Sequence, residues 1–162
     1  MKRIGWILLA AVLLRLFGLA PAGTDVAELL PAQVVCIGCA GRTVTVQTDN
    51  GVRAVGADLE RALDRAEHTA EGTLFFGTVE HVILCEGAER LSAELPDRTK
   101  LRPAAKVYLA PECVDPARAA AYLRAHPGRV TISAMEAARL AGQPLRLPQV
   151  RRTAEGGLLL EP

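Results

Sequence analysis

Residues 56–87 read GADLERALDRAEHTAEGTLFFGTVEHVILCEG, and this stretch decides the fold. Between positions 58 and 71, apolar residues recur at spacings of three, four and seven, which predicts an amphipathic helix with one apolar face. Asp58 is placed to cap the first turn, and Gly72 is placed to end the helix in the left-handed conformation.

An apolar segment follows this helix at residues 73–85, and it is rich in β-branched and aromatic side chains. Its composition predicts a strand that is bent at Gly77 and covered on both faces. A helix with one apolar face has to pack on such a strand, so the pair predicts one layer of an α/β fold.

The remaining elements alternate in the same way. Strands are expected at 33–39, 43–48, 52–55 and 105–110, with a short strand at 130–132, and helices at 88–95, 115–126 and 133–142. We therefore expect a single α/β (α+β) domain at 33–150, in which amphipathic helices pack on a mixed β-sheet. Residues 23–32 are predicted to be a linker, and residues 151–162 a C-terminal tail.

The N-terminus has the pattern of an export signal. Lys2 and Arg3 precede an apolar run, and Ala20-Pro21-Ala22 offers small residues for cleavage. Arg15 interrupts the apolar run, so the run is shorter than the roughly 20 apolar residues that a membrane-spanning helix needs. Residues 1–22 are thus predicted to be a signal peptide or a membrane anchor, with contact to the membrane through residues 1–20, and the body is expected to be exported.

The charge balance makes nucleic acid an unexpected partner. The chain has 19 Lys and Arg residues and 18 Asp and Glu residues. Three of the basic residues and none of the acidic ones lie within 1–22, so the remainder is close to neutral. It has no basic tract and few aromatic side chains to stack on bases.

The four cysteines are Cys36, Cys39, Cys85 and Cys113. They are possible disulfide or redox residues, and four cysteines allow three pairings that sequence does not separate. Buried packing residues or a structural disulfide are the leading interpretation. A zinc ribbon is disfavoured because Cys85 and Cys113 do not form a second closely spaced pair.

Cys36-Ile37-Gly38-Cys39 has the CxxC spacing of redox motifs. In thioredoxin-like sites that motif opens a helix, whose N-terminus lowers the pKa of the thiol. Here the motif ends an apolar run and leads into an alternating strand, which predicts a hairpin. If both cysteines lie in one strand, their sulfurs point to opposite faces and cannot form a tight redox pair.

No catalytic, cofactor-binding or metal-ligating constellation is recognised in the sequence. His81, within the apolar strand, is interpreted as a hydrogen-bonded core or edge histidine because no nucleophile motif surrounds it. A small-ligand pocket is a weaker possibility at the carboxyl ends of the strands, near 38–41 and 85–87. The chain is therefore expected not to be an enzyme and to need no cofactor.

The order of these elements resembles the N-terminal domain of the Ger(x)C family of spore germination proteins, the membrane-attached C subunits of germinant receptors. The matching segments are Ile37-Gly38, Val44 to Thr48, Gly56 with Leu59, Ala62 and Leu63, Leu74 to Gly77, Val82 to Leu84, and Leu147-Pro148. The resemblance covers roughly residues 33–150 and consists of packing residues. Cys36 comes too late to be the lipid-carrying cysteine that follows the signal segment in that family.

The resemblance implies a non-enzymatic component that acts in spore germination through protein interaction. Its partners would be membrane-embedded receptor subunits, at the outer face of the cytoplasmic or spore inner membrane. This hypothesis predicts an open or partner-covered sheet edge and an apolar surface near the N-terminus. The alternative, an extracytoplasmic thiol-disulfide protein that uses Cys36 and Cys39, predicts that Cys39 is exposed and has a lowered pKa.

Overall fold

The computed structural model describes residues 29–97 and 100–162, so the predicted signal segment lies outside the described residues. The strands are β1 (Leu29–Pro31), β2 (Val34–Ala40), β3 (Thr43–Thr48), β4 (Arg53–Gly56), β5 (Thr73–Phe75), β6 (His81–Leu84), β7 (Lys106–Leu109), β8 (Gln149–Arg152) and β9 (Leu158–Glu161). The α-helices are α1 (Leu59–Thr69), α2 (Pro116–Ala125) and α3 (Ile132–Leu140), and 3₁₀ helices span Phe76–Thr78 and Glu89–Asp97.

Seven of these strands form one mixed sheet in the order β4-β3-β2-β6-β7-β8-β9. Strands β2, β6, β7 and β8 run parallel to one another, and antiparallel hairpins β2-β3-β4 and β8-β9 close the two sides. The predicted fold class, α/β with a mixed sheet and amphipathic helices, is confirmed.

Strict alternation along the central strands builds two cores, one on each face of the sheet. Val35, Ile37, Val82 and Leu84 face α1 and the long 3₁₀ helix. The alternate residues of the same two strands, such as Val34 and Ile83, face α2 and the β8-β9 hairpin. Successive side chains of a strand point to opposite faces, so β2 and β6 serve both cores at once.

Helix α1 follows its sequence pattern closely. Its buried residues Leu59, Ala62, Leu63 and Ala66 form the predicted apolar face, and the Asp58 carboxylate accepts a hydrogen bond from the Arg61 N–H at 2.8 Å. The predicted end at Gly72 is wrong. The helix ends at Thr69 with Ala70 in an extended conformation, and the described glycines with positive φ do not include Gly72.

The predicted strand 73–85 is three elements rather than one bent strand. β5 pairs in parallel with β1, the 3₁₀ turn Phe76–Thr78 follows, and β6 then enters the large sheet. The turn is fixed by the Thr78 hydroxyl, which donates to the Ala32 and Phe75 carbonyls at 3.0 and 2.9 Å. The Phe75 ring lies over Gly77, where a Cβ would be 2.5 Å from the ring. A larger residue at position 77 would thus require the exposed Phe75 ring to move.

Three further expectations need correction. The helix expected at 88–95 is a 3₁₀ helix over Glu89–Asp97 that contains Pro96, although Leu91 and Leu95 are buried as its spacing implied. The strand expected at 130–132 is a single bridge between Lys106 and Thr131. The helix expected at 133–142 spans Ile132–Leu140, and Thr131 caps it, because its hydroxyl accepts the Ala134 N–H at 3.1 Å.

Both ends of the domain are more ordered than the sequence suggested. Leu29–Pro31 falls in the predicted linker but forms strand β1. The predicted tail at 151–162 contributes to the β8-β9 hairpin, in which Val150 is fully buried. In the part of the chain described, no helix has the length and apolar character needed to cross a membrane.

Candidate functional site

A cluster of three thiols lies at the carboxyl ends of the central parallel strands. Cys36 is in β2, Cys85 directly follows β6, and Cys113 is in the loop between β7 and α2. Parallel strands bring their carboxyl ends to one edge of a sheet, so three distant positions in the sequence meet there. We call Cys36, Cys85 and Cys113 the thiol cluster.

Backbone geometry holds Cys85 and Cys113 together. The Cys85 N–H donates to the Ile37 carbonyl at 2.8 Å, which places Cys85 beside Gly38. A Cβ added at Gly38 would lie 3.6 Å from the Cys113 Sγ and 4.0 Å from the Cys85 Cβ. Both side chains therefore lie against Gly38 of the CIGC sequence, at ordinary contact distance from the place of its missing Cβ.

Hydrogen bonds make Cys85 the most acidic thiol of the cluster. Its pKa is lowered to about 7, chiefly by the hydrogen bond with Cys36, and further by hydrogen bonds with Cys113 and the Val114 backbone. Burial opposes this shift, because desolvation disfavours the thiolate. Cys85 thus has substantial thiolate character near neutral pH, although it is 1% exposed.

The pKa values of the other two thiols are raised, so their thiolates are minor species. The hydrogen bond between Cys36 and Cys85 is the main cause that holds the pKa of Cys36 far above the usual range, and burial is the second. The Cys36 Sγ also lies 3.7 Å from the Val114 carbonyl oxygen, a further acceptor for its S–H. Burial and the nearby Cys85 raise the pKa of Cys113 to about 11. The proximity of the three sulfurs thus lowers the pKa of Cys85 and raises the pKa values of Cys36 and Cys113.

A cavity of about 450 Å³ adjoins the thiol cluster. The thiol cluster, residues of the β2-β3-β4 hairpins and two acidic side chains line it. The lining residues are Cys36, Gly38, Cys39, Ala40, Thr45, Gln47, Arg53, Cys85, Glu86, Glu112 and Cys113. This is the place where the sequence predicted a pocket. Sequence reasoning missed Arg53, Glu112 and the approach of Cys113, because these residues come from other strands and loops.

The CxxC motif is not a redox pair in this structure. Cys36 and Cys39 both lie in β2, which forms a hairpin with β3 as predicted. Cys36 packs on the α2 face, whereas Cys39 is partly buried against the α1 face. Their sulfurs therefore point away from each other, and a tight disulfide between them would require the strand to rearrange. All four cysteines are free.

His81 has the structural role that its position suggested. It is 2% exposed, and its Nδ1 lies 2.9 Å from the Tyr108 hydroxyl. That hydroxyl accepts the Gly128 N–H at 3.0 Å, so its own O–H is free to donate to Nδ1. Burial lowers the pKa of His81 to about 4, which keeps the ring neutral. Within residues 29–97 and 100–162, no three His, Cys, Asp or Glu side chains are placed to hold a metal ion.

Two features of the surface are relevant to the interaction hypothesis, namely the outer strands of the sheet and the exposed Phe75. β4 and β9 are the outer strands of the large sheet, with no neighbouring strand among the described residues. Close to the N-terminal strand β1, the Phe75 ring is 45% exposed. Side chains bind part of each outer strand. Arg65 donates to the Val55 carbonyl of β4, and the Tyr122 hydroxyl accepts the Leu160 N–H of β9.

A second apolar surface lies between α3 and the long 3₁₀ helix. We call it the α3 cleft; it has a volume of about 210 Å³ and is lined mainly by Ala93, Pro96, Met135, Ala138, Leu145 and Leu147. Leu145 is 42% exposed, and the buried side chain of α3 is that of Ile132. At the same cleft, Glu136 binds the Arg139 guanidinium at 2.6 and 2.8 Å, so this cation is already paired.

Comparisons with known proteins supply no relative for this chain. A scan against protein-family models, a search of curated proteins and a search of solved structures each returned no match.

Proposed function

We propose that this chain is a non-enzymatic, exported or membrane-anchored component that acts in spore germination through protein interaction. The proposal takes its biological setting from the resemblance to the N-terminal domain of germinant receptor C subunits. The partner would be a membrane-embedded receptor subunit at the outer face of the cytoplasmic or spore inner membrane.

The observation that carries the interaction is the α3 cleft. Leu145 and Met135 place apolar surface at a concave site that the chain's own elements leave partly open. Arg139, the charged residue of the lining, is paired with Glu136 at 2.6 Å. Apolar side chains that enter such a concavity are typical anchors of protein interfaces. We therefore expect an apolar segment of the receptor subunit to occupy the cleft.

The thiol geometry weakens the competing proposal. A thiol-disulfide protein that used Cys36 and Cys39 would need both sulfurs on one side of the backbone, and β2 places them on opposite faces. The interaction proposal needs no such rearrangement.

Paired surface variants in the organism that encodes the chain test this proposal. Leu145→Asp adds a charge within the cleft, whereas Leu140→Asp adds one at a leucine that is 73% exposed and does not line it. We expect Leu145→Asp to slow nutrient-triggered release of dipicolinate and to weaken co-isolation with receptor membrane subunits about tenfold or more, as loss of an interface anchor implies. Leu140→Asp should behave as the unmodified chain.

Deletion and fractionation provide the opposing outcomes. Spores that lack the chain and germinate at the normal rate would exclude the germination role. Recovery of the chain from the cytosol with Met1 intact would exclude export.

A further inference from the structure

We propose that Cys85 and Cys113 form a reactive dithiol that a low-molecular-weight disulfide converts reversibly into an intramolecular disulfide, while Cys36 stays a buried thiol. The inference assigns a modification site to the thiol cluster. It does not depend on the proposed function, because the α3 cleft and the thiol cluster have no lining residue in common.

Proximity is the first argument. A Cβ at Gly38 would lie 3.6 Å from the Cys113 Sγ and 4.0 Å from the Cys85 Cβ, so the side chains of Cys85 and Cys113 are neighbours against the same residue. Cys113 belongs to a loop rather than to a strand, so its backbone can adjust to the geometry that a disulfide requires. Cys39, the partner that the CxxC spacing suggested, packs on the opposite face of the sheet.

Access distinguishes Cys113 from Cys36 as the partner of Cys85. Cys113 is exposed, whereas Cys36 is 2% exposed and its Sγ lies against the Val114 carbonyl oxygen. All three thiols of the cluster line the cavity of about 450 Å³, which gives a small disulfide a route to them, and Cys113 is the exposed one. A reagent from solvent therefore meets Cys113 first, with Cys85 directly behind it.

The chemistry is two successive thiol–disulfide exchanges. The deprotonated Cys113 sulfur attacks one sulfur of R–S–S–R, which forms Cys113–S–S–R and releases RS⁻. The Cys85 thiolate then attacks the Cys113 sulfur, the bond to R breaks, and a second RS⁻ leaves. Two electrons pass from the two protein thiols to the reagent, and the protons of Cys113 and Cys85 end on the two RS⁻ products. An excess of RSH reverses both steps.

The electrostatics of the cluster favour the second exchange. The hydrogen bonds from Cys36 and Val114 lower the pKa of Cys85 to about 7, so its thiolate is populated when the mixed disulfide forms. Cys36 holds its proton because its own pKa is raised, so it is a poor competitor for the mixed disulfide.

The test equilibrates the full chain, in mild detergent, with mixtures of reduced and oxidised glutathione. Free thiols are then trapped by alkylation, and the linkages are mapped by peptide mass spectrometry. We expect a single intramolecular bond between Cys85 and Cys113, lost on return to reduced glutathione, with Cys36 and Cys39 alkylated only after unfolding or slowly. A bond between Cys36 and Cys85, any bond to Cys39, or four free thiols in oxidised glutathione would overturn the proposal.

Serine variants separate the chemistry from effects on folding. Cys113→Ser alters an exposed loop position and should keep the native circular dichroism spectrum while abolishing the bond. Cys85→Ser should instead leave glutathione attached at Cys113, because the second exchange lacks its nucleophile. Cys39→Ser is the matched control and should form the Cys85–Cys113 bond as the unmodified chain does. If Cys113→Ser still forms an intramolecular disulfide, the assignment is wrong.

Discussion

The two faces of the central sheet are covered by helices but differ in what they enclose. On the α1 face, Leu59 and Leu63 pack on alternate residues of β2 and β6 within a large cluster of apolar side chains. On the α2 face, the same strands contribute Cys36 and Cys85, and the neighbouring His81 and Tyr108 form a buried polar pair. The same strands therefore contribute to a hydrophobic core on one side of the sheet and to a core that contains thiols and a polar pair on the other.

The difference shows that alternation along a strand places apolar packing residues on one face of the sheet and Cys36 and Cys85 on the other. A side chain on the α1 face can be changed without contact to the thiol cluster, and a cysteine on the α2 face can be changed without opening the larger core. The following substitutions and conditions address one face at a time.

The largest effect is expected for Leu63→Ala on the α1 face. Leu63 is 1% exposed, and its loss should lower the free energy of unfolding by about 2–5 kcal/mol through lost burial and the cavity that remains. Urea denaturation followed by circular dichroism measures the change. Arg61→Ala, on the exposed side of the same helix, should stay within about 0.5 kcal/mol. Equal losses for both variants would contradict the packing of α1 on the sheet.

Acid should destabilise the α2 face through His81. The pKa of His81 is about 4 in the folded chain, whereas an exposed histidine in the unfolded chain has the ordinary value of 6.5. As pH falls, the unfolded chain is therefore protonated first. Stability is therefore complete above pH 6.5, declines between pH 6.5 and about 4, and loses about 3 kcal/mol over that window.

Urea unfolding at a series of pH values measures this decline. His81→Gln keeps a side chain that can accept the Tyr108 O–H but does not titrate, so its stability should be flatter over the same window. An unchanged slope in that variant would assign the decline to other groups.

Filling the space at Gly38 should disturb the thiol cluster alone. The Cβ of Gly38→Ala would meet the Cys113 Sγ at ordinary contact distance, so this variant should be tolerated within about 0.5 kcal/mol. The two additional methyl groups of Gly38→Val overfill the site, with an expected loss of about 1–3 kcal/mol. Cys113 should then react faster with an alkylating reagent, which mass spectrometry measures. Equal behaviour of the two variants would show that Cys113 does not pack there.

The smallest effect is expected at the helix caps. Asp58→Ala removes the acceptor for the Arg61 N–H and should cost about 1 kcal/mol. Asp115→Ala, which removes the equivalent bond to the Ala117 N–H in α2, should cost a similar amount. Thermal unfolding compares the two. We expect the α2 variant alone to change the alkylation rate of Cys113, because that residue lies in the loop before α2.

Local patterns predicted most of the elements correctly. The spacing of apolar residues identified α1 and its buried face, and alternation identified the β2-β3 hairpin that rules out a helical CxxC site. These predictions succeeded because each depends on neighbours within one or two turns of chain. The error in segment 73–85, and the adjacent error at Gly72, lie where β5 pairs with the distant strand β1, which no local pattern records.

The sequence by itself determined the fold class, the two-sided burial of the central strands and the separation of Cys36 from Cys39, because alternation along a strand is a local property. The tertiary structure alone decided that Cys36, Cys85 and Cys113 meet, and that the C-terminal segment closes the sheet as a hairpin. The physical reason is strand order. Parallel pairing of β2, β6 and β7 brings their carboxyl ends to one edge, and no spacing within the chain records which strands become neighbours.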